Sequence, residues 1–307
     1  MSDMRVELLG HLLPGPVIAA SGTFGYGIEY SEILDLGVLG GVSSKGLTLN
    51  PKYGNEGERL LETPSGLINS IGLQNPGVRH FIDNELPAMH RALAGTGTAI
   101  LANLGGGCIE DYEEGCELLC ATDVDFIELN ISCPNVKHGG IAYGVQAESA
   151  KEVVGRVRKV CTKPLIVKMS PQAEDIARMA AACVEAGADA VSLVNTFQAC
   201  AIDLEKRKPV FNNIFAGLSG PAVRPIALRM VWQAVGAVGD AVPVIGLGGI
   251  ATGEDALQFI MAGATAVQVG TANFADPAAC QRITAEMSAW MDKHGVKSLD
   301  EIRGCAR

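Results

Sequence analysis

The feature that most restricts the fold of this chain is a unit that occurs eight times along it. Each unit is a short apolar run, followed by a glycine or polar cluster and then by a segment with helical spacing. Runs that are apolar on both faces and alternate with helices are typical of a parallel sheet covered by helices. The runs are Pro16–Ala20, Gly41–Ser44, Ala99–Asn103, Phe126–Ile131, Leu165–Met169, Ala190–Asn195, Val242–Leu247 and Ala266–Gly270.

Eight strand–helix units predict an α/β protein with a closed (β/α)8 TIM barrel, and an open doubly wound sheet is the alternative. Barrels of this kind use about 250 residues or more as one domain. We find no linker or low-complexity tract in the 307 residues. We therefore expect a single barrel domain over residues 1–307.

Two helices have clear end signals. Ser170 is expected to cap a helix that ends at Gly187. Thr252 and Asp255 form a capping arrangement before a second helix, which is expected to end at Gly263.

Two stretches between the predicted elements are longer than ordinary loops. Lys52–Pro76 contains a predicted hairpin that turns at Pro64–Gly66, and the second stretch is Phe197–Arg224. Because long insertions after barrel strands tend to build binding sites, we expect inserted hairpins at the carboxyl-end face.

Composition excludes several classes of function. The formal net charge of −10 argues against nucleic acid or an anionic membrane surface as the main partner. The nine cysteines lack the spacing of a disulfide framework, a zinc site or an iron–sulfur site, so no metal is expected. The charged start of the chain is unlike a signal peptide, and no apolar run is long enough for a membrane span. These features predict a cytoplasmic protein.

The ends of the seventh and eighth runs are rich in glycine. Gly248 and Gly249 follow one run, and Gly270 and Thr271 end the other. Glycines let backbone N–H groups approach a phosphate, and barrels often bind phosphate after these two strands. Tight turns alone would explain one such cluster, but two adjacent clusters favour a phosphate site.

Lys168 lies in an otherwise apolar strand and is costly to bury without a partner or a function. It could form a Schiff base, as in barrel aldolases, or act as a fixed cation that stabilises negative charge. A lysine that extends to the solvent at the barrel rim is the structural alternative.

The segment that ends the fourth run carries several polar groups. Glu128, Asn130 and Ser132 share one face of the strand by alternation. Cys133 follows at the predicted strand exit, where barrel catalysis occurs, and could act as nucleophile or general base. The other eight cysteines are interpreted as small core residues. The glycine-rich residues 136–144 are suited to a mobile lid.

Further polar side chains follow other predicted strands. Lys45 could pair with a substrate carboxylate, although a solvated lysine at the rim is as good an explanation. The segment 69–77 and the pair Asn195–Thr196 offer amides and a hydroxyl, which suit a planar ligand with several amide-like groups.

At these residues the chain resembles the dihydroorotate dehydrogenases, flavin enzymes of pyrimidine synthesis. The resemblance extends from Ala20–Gly25 to Val269–Thr271, and the segments Asn69–Asn75, Asn130–Asn135 and Gly217–Pro221 are specific in combination. A cysteine base distinguishes this type from the membrane-attached type, which uses serine. The residues 136–140 resemble the NAD-linked type 1B, and the fumarate-using type 1A is the alternative.

The resemblance implies a role for each matching residue. Cys133 would be the catalytic base, and Lys168 would stabilise negative charge on the reduced flavin. Ser70 stands where a smaller residue such as alanine is expected. The implied substrate-binding residues are Lys45, Asn69, Ser70, Ile71, Gly72, Leu73, Asn130, Asn195 and Thr196. The implied FMN-binding residues are Ser21, Lys45, Gly46, Asn103, Asn130, Lys168, Val194, Gly220, Gly248, Gly249, Gly270 and Thr271.

The resemblance also implies partners. In type 1B enzymes a separate subunit carries FAD and a [2Fe–2S] cluster and passes electrons to NAD+. This chain has neither cluster spacing nor a dinucleotide-binding fingerprint. The expected assembly is a homodimer core within a heterotetramer.

Three other functions are compatible with a barrel. A Schiff-base aldolase would use Lys168. A flavin-dependent tRNA dihydrouridine synthase is disfavoured by the net charge of −10. A non-catalytic barrel would leave Lys45, Cys133 and Lys168 at strand ends without explanation.

Overall fold

The computed structural model describes residues 2–132 and 143–307, so Cys133 and most of the expected lid lie outside the described residues. The strands of the described residues, in chain order, are β1 (Val6–Leu8), β2 (His11–Leu13), β3 (Val17–Ala19), β4 (Gly41–Ser43), β5 (Leu60–Thr63), β6 (Gly66–Asn69), β7 (Ala99–Leu104), β8 (Phe126–Asn130), β9 (Leu165–Lys168), β10 (Ala190–Leu193), β11 (Phe197–Cys200), β12 (Ile202–Asp203), β13 (Lys208–Pro209), β14 (Phe215–Ser219), β15 (Val244–Leu247) and β16 (Ala266–Val269).

The helices alternate with the strands of the barrel. A π-helical turn, Phe81–Glu85, joins the first two into one continuous segment. The helices are α1 (Val78–His80), α2 (Leu86–Ala92), α3 (Ile109–Cys120), α4 (Ala147–Val160), α5 (Ile176–Glu185), α6 (Arg224–Val238), α7 (Gly253–Met261), α8 (Ala272–Ala275) and α9 (Ala279–His294). Short 3-10 turns lie at Ile28–Tyr30, Leu36–Val38, Pro221–Val223 and Leu299–Glu301.

Eight parallel strands form the closed barrel. Seven of them lie within the predicted apolar runs, and β7 extends one residue beyond its run, to Leu104. Their order around the ring is β3-β4-β7-β8-β9-β10-β15-β16. The ring closes where Val267 of β16 pairs with Val17 of β3. The predicted (β/α)8 fold is therefore confirmed, and the open sheet is excluded.

One predicted helix start was wrong and one was confirmed. Helix α5 begins at Ile176, because the Asp175 carboxylate accepts hydrogen bonds from the backbone N–H groups of Ala177 and Arg178 at 2.9 and 3.1 Å. Ser170 instead accepts a bond from the Gln172 backbone N–H at 3.1 Å, within the loop that leads to the helix. The capping box of Thr252 and Asp255 is present at the start of α7.

The interior of the barrel is built in two layers. The lower layer is apolar and includes Ile18, Leu101, Phe126 and Ile166 from the strands, covered from below by Leu8 and Leu13 of the β1–β2 hairpin. The upper layer is polar. Because side chains on one face of a strand recur every second residue, Leu101, Phe126 and Ile166 each lie two residues before a polar side chain of the upper layer. The polar residues are Ser43, Asn103, Glu128, Lys168, Ser192 and Gln268, all buried.

The two long insertions form one structure. Strands β5 and β6 make the predicted hairpin, which turns between Thr63 and Gly66. Strand β14 of the second insertion pairs with β6, so that Gly217 lies opposite Asn69, and β11 completes a four-stranded sheet. The insertions follow β4 and β10, which places this sheet at the carboxyl-end face of the barrel. Among the helices of the described residues, none is both long and apolar enough to cross a bilayer.

Candidate active site

A buried carboxylate, Glu128, is the centre of the polar layer. It projects inward from β8 and is fully buried. One carboxylate oxygen accepts hydrogen bonds from Ser43 Oγ at 2.8 Å and Asn103 Nδ2 at 2.6 Å. The other accepts from Ser192 Oγ at 3.0 Å and Gln268 Nε2 at 2.6 Å. Side chains from four other barrel strands thus meet at the Glu128 carboxylate.

Lys168 is the cation of this network. Its Nζ lies 3.6 Å from Glu128 Oε2 and donates a hydrogen bond to Gln268 Oε1 at 3.1 Å. The side chain is only 4% exposed, so Lys168 is a buried, paired group and does not extend to the solvent at the rim. Within the described residues these are its two polar partners, and an ammonium has three N–H donors. The third donor of Lys168 has no partner among the described residues.

The pKa of Glu128 shows how the network balances. Burial alone would raise this pKa, because a carboxylate is poorly solvated in the interior. The positive charge of Lys168 and the hydrogen bonds from Asn103, Gln268 and Ser43 outweigh burial, and the pKa of Glu128 is lowered. At neutral pH the layer holds a carboxylate and an ammonium side by side.

Three predicted amides converge above this layer. Asn130 Nδ2 donates to Asn103 Oδ1 at 3.4 Å. Asn130 Oδ1 accepts from Ser132 Oγ at 2.5 Å and faces Asn195 Nδ2 at 3.5 Å. Asn195 Nδ2 also bonds to Ser132 Oγ. These side chains lie at the ends of β7, β8 and β10, and Cys133 follows Ser132 in the sequence.

The predicted substrate loop, residues 69–73, is held by a residue that sequence analysis did not identify. Asn55 Nδ2 donates to the carbonyl and hydroxyl oxygens of Ser70 at 3.2 and 3.1 Å, and its backbone N–H donates to Ile71 at 3.0 Å. Gly72 has φ +75°, and a Cβ there would meet the Asn55 side chain at 2.5 Å. The adjacent Leu73 also adopts a positive φ, of 54°.

Asn69 and Thr196 meet at the inserted sheet. Asn69 Nδ2 donates to the carbonyl oxygen of Gly217 at 3.2 Å. A Cβ on Gly217 would collide with Thr196 Oγ1 and would lie 3.4 Å from Asn69 Nδ2. The two predicted substrate residues are therefore brought together across the backbone of Gly217, although they lie in different insertions.

The predicted phosphate-binding glycines cluster beside the inserted sheet, where Gly220 follows β14. Gly248 and Gly249 have φ of +131° and +73°. A Cβ on Gly249 would lie 2.6 Å from the Gly220 carbonyl oxygen, and one on Gly248 would lie 3.5 Å from Val194 Cγ2. Four predicted cofactor residues from three segments are thus in contact. Gly270 lies beside the end of β3, and Thr271 immediately precedes α8.

The remaining predicted residues lie between the substrate loop and β3. A Cβ on Gly46 would lie 3.1 Å from Leu73 Cδ2, 3.3 Å from Asn103 Oδ1 and 3.9 Å from Ser21 Oγ. Lys45 is half-buried and lines a cavity of about 400 Å³ together with Tyr26. The Tyr26 hydroxyl is buried and has no hydrogen-bond partner among the described residues.

Sequence analysis missed several residues of the polar layer. It placed Glu128 on the face of Asn130 but gave it no role, and it did not single out Ser43, Ser192 or Gln268. The signal for Gln268 was the one used for Lys168, a polar residue in an apolar strand. The serines carry no such signal, because serine is common in strands that are not part of a site.

The arrangement is suited to a planar, polar and anionic ligand. A buried ammonium and three amides supply hydrogen-bond donors and acceptors at the barrel mouth, and the glycine cluster leaves backbone groups open to a phosphate. The structure thus brings together most residues that were predicted for one site, while the placement of Cys133 lies outside the described residues.

Comparison with known proteins gives the same assignment along nearly the whole chain. The family profile described as dihydroorotate dehydrogenase matches residues 3–291. The catalytic subunit of dihydroorotate dehydrogenase B (NAD(+)) from Petrotoga mobilis is 55% identical over 304 residues, which cover 99% of each chain. The corresponding proteins of Geotalea daltonii and Geobacter sulfurreducens are each 51% identical, over 99% and 98% of this chain and 98% and 97% of their own. The chain therefore belongs to the dihydroorotate dehydrogenase family.

Proposed function

We propose that this chain oxidises (S)-dihydroorotate to orotate as the catalytic subunit of an NAD+-linked dihydroorotate dehydrogenase. The proposal rests most heavily on the near-complete coverage at 55% identity to a catalytic subunit of that name. It is supported by the polar layer, in which Lys168, Asn103 and Asn130 converge at the carboxyl end of the barrel. The product would serve pyrimidine biosynthesis in the cytoplasm, and residues 1–307 would act as a single domain.

The residues at the rim fit FMN as the cofactor. Gly248 and Gly249 have backbone conformations that favour glycine, and Gly249 lies against the carbonyl oxygen of Gly220. With Gly270 and Thr271 they would hold the phosphate. Ser21, Lys45, Gly46, Asn103, Asn130, Lys168 and Val194 would hold the ring system and its chain. When bound, FMN supplies the acceptor for the hydride from C6 of the substrate.

The chain's own side chains would bind the substrate and move its proton. Cys133 would remove the proton from C5, which requires its thiolate. Lys45, residues 69–73, Asn130, Asn195 and Thr196 would bind the carboxylate and the ring amides of the substrate. Lys168 would provide a fixed positive charge, and Glu128 would hold that charge in position.

A second subunit completes the proposed enzyme. The names of the relatives designate a catalytic subunit, which implies another subunit. We expect the partner to carry FAD and a [2Fe–2S] cluster and to pass electrons to NAD+. The expected complex is a heterotetramer around a homodimer of this chain.

Two alternative chemistries are less well supported. The names of the relatives specify NAD(+), which argues against the fumarate-using type 1A. A Schiff base would have to form at the Lys168 nitrogen, which is paired with a buried carboxylate 3.6 Å away. Borohydride trapping of a carbonyl compound on Lys168 in a colourless protein would favour that alternative.

The direct test of the proposal is a spectrum of the purified chain. We expect a yellow protein whose visible absorption bleaches when dihydroorotate is added without oxygen. A protein purified with its partner subunit should then reduce NAD+. A colourless chain that binds no FMN, or a bound flavin that dihydroorotate leaves oxidised, would contradict the proposal.

The role of Cys133 is tested separately. Cys133→Ser should lower turnover by at least about 100-fold, since general base catalysis contributes 10²–10⁴-fold, while the flavin remains bound. Cys183→Ser is the control, because Cys183 is a buried residue of α5. The turnover of this variant should stay near that of the wild type. Normal turnover in Cys133→Ser would exclude this thiol as the base.

A further inference from the structure

Three cysteines outside the candidate active site lie close together in space. Cys116 and Cys120 are four residues apart on α3 and so share one face of that helix. Cys161 follows the last residue of α4, 41 positions beyond Cys120. Because α3 and α4 each run back from the carboxyl end of a strand, their ends lie at the amino-terminal face of the barrel, opposite the candidate active site.

The sulfur atoms have the spacing of metal ligands. The distances Cys116 Sγ–Cys120 Sγ and Cys120 Sγ–Cys161 Sγ are both 3.8 Å, and all three sulfurs lie within 4.8 Å of one another. A tetrahedral zinc ion with Zn–S bonds of about 2.3 Å separates its sulfur ligands by about 3.8 Å. Two edges of such a site are therefore already formed, and the third requires a closure of at most about 1 Å.

The turn that carries Cys161 is held in place by its neighbours. The Arg158 guanidinium donates hydrogen bonds to the carbonyl oxygens of Cys161 and Lys163. The Cys161 sulfur lies 3.4 Å from the carbonyl oxygen of Lys163. The third sulfur of the cluster is therefore fixed relative to the end of α4.

Burial and ligand chemistry also agree with ion binding. Cys116 and Cys161 are buried, whereas Cys120 is half-buried and gives an ion a path from solvent. Soft thiolate ligands select Zn2+ and similar thiophilic ions over Mg2+ or Ca2+. The linear spacing of these cysteines conceals the site, because Cys161 belongs to a different strand–helix unit from the other two.

We propose that Cys116, Cys120 and Cys161 bind one thiophilic metal ion of the zinc class through three thiolates. The fourth position would face the half-buried side of Cys120 and hold water. The ion would join the end of α3 to the turn between α4 and β9, and so would stabilise the amino-terminal face of the barrel. This site goes beyond the proposed function, and its success or failure does not depend on the flavin chemistry.

The experiment is a metal titration of the full-length chain with its cofactor bound. Metal is removed from the reduced protein with a chelator, and the protein is then titrated with Zn2+. The bound metal is measured by inductively coupled plasma mass spectrometry. We expect one tightly bound equivalent per chain and a higher midpoint of thermal unfolding when it is bound. Cd2+ in place of Zn2+ should give an ultraviolet sulfur-to-metal charge-transfer band.

Substitutions separate this site from the other thiols. Cys120→Ser and Cys161→Ser should each weaken Zn2+ binding by more than about 100-fold, since even the loss of an outer partner of a metal ligand costs 10–100-fold. Cys183→Ser is the matched control, because its buried thiol belongs to α5, and it should bind Zn2+ as the wild type does. Far-ultraviolet circular dichroism and the midpoint of thermal unfolding of each metal-free variant confirm that the barrel is folded.

Three outcomes would overturn the proposal. The reduced wild-type chain could fail to bind Zn2+ tightly, which would leave the cysteines as core residues. Both serine variants could still bind one equivalent of Zn2+ per chain, which would place the metal at another site. Peptide mapping without reductant could show a disulfide among the three cysteines in a chain that binds no metal after reduction, which would make the cluster a redox site.

Discussion

At the scale of single residues, Glu128 and Lys168 form a buried ion pair inside the barrel. Two charges that are almost completely removed from water are costly, and their mutual attraction offsets this cost only when further hydrogen bonds satisfy both groups. Ser43, Asn103, Ser192 and Gln268 supply those bonds. The arrangement keeps a positive charge beneath the mouth of the barrel in a fixed position.

Glu128→Gln should destabilise the chain by about 3–5 kcal/mol, because it leaves the Lys168 ammonium buried without its counter-charge. The new amide would also present N–H donors to Ser43 or Asn103, which are donors themselves. Equilibrium unfolding in urea measures the effect. Glu185→Gln, which removes an exposed pair with Lys151, is the control and should cost less than about 1 kcal/mol.

The double variant Glu128→Gln with Lys168→Met tests the cause. Since the second substitution removes the unpaired charge, the double variant should be more stable than Glu128→Gln alone. Equal or lower stability of the double variant would show that hydrogen bonds, and not the buried charge, dominate the loss.

At acid pH, the free energies of unfolding of the wild type and of Glu128→Gln should become more similar. The folded-state pKa of Glu128 lies below its ordinary value of 4.5, so its stabilising effect is complete above that value and is lost as the pH falls through the lower folded-state pKa. Glu128→Gln has no carboxylate at this position, so its free energy of unfolding does not change through this group as the pH falls. Urea unfolding of both proteins from neutral pH to about pH 3 measures the change, and a constant difference would contradict the assignment.

At the scale of an element, the turn after β15 depends on glycine for two separate reasons. Gly249 has a φ of +73°, which side chains other than glycine rarely adopt, and a Cβ would also collide with the carbonyl oxygen of Gly220 at 2.6 Å. The second constraint arises because two segments approach each other closely at the proposed phosphate site.

Gly249→Ala should weaken FMN binding. It should also lower the free energy of unfolding by more than backbone strain alone would, because the new Cβ meets the carbonyl oxygen of Gly220. Gly295→Ala is the matched control, because Gly295 has a φ of +70° and a Cβ there would meet nothing within 4 Å. The control should lose about 1–2 kcal/mol and keep its affinity for FMN. Flavin release followed by fluorescence, together with urea unfolding, distinguishes the two effects, and equal losses in both variants would refute a special role for Gly249.

At the scale of the whole molecule, the four-stranded sheet above the barrel joins two insertions that follow different barrel strands. Among the described residues, the buried members of its own apolar cluster are Ile68, Phe211 and Ala216, whereas the barrel and its helices share a far larger core. Regions with few buried apolar contacts open at lower free energy than the rest of a protein. The sheet should therefore be a separate unit of local opening.

Native-state hydrogen exchange should detect this unit. Phe211→Ala should accelerate exchange of the β6 and β14 amides by orders of magnitude while the barrel strands keep their protection, because a buried phenylalanine contributes about 3–5 kcal/mol. Phe126→Ala, in the lower layer of the barrel, should instead reduce the protection of backbone amides from exchange in both the sheet and the barrel strands. Loss of protection in the barrel strands of Phe211→Ala would show that sheet and barrel unfold together.

The barrel was predictable from the sequence because its signals are local. Apolar runs, glycine stops and the capping box of Thr252 each depend on neighbouring residues, and eight repetitions of one unit leave few ways to close a sheet. The same alternation placed Glu128, Asn130 and Ser132 on one face of β8. Where two residues that can cap a helix lie close together, as Ser170 and Asp175 do before α5, local signals do not decide, because the side chain of either residue type can accept from the free N–H groups of a helix start.

Only the tertiary structure decided which distant residues meet. Closure of the ring brings Ser43, Ser192 and Gln268 to the Glu128 carboxylate, and pairing of the insertions brings Asn69 to Thr196. The approach of Cys161 to Cys116 and Cys120 has the same origin. Contacts of this kind depend on strand register and on the curvature of the barrel, which are properties of all eight strands together, and no window of the sequence contains them.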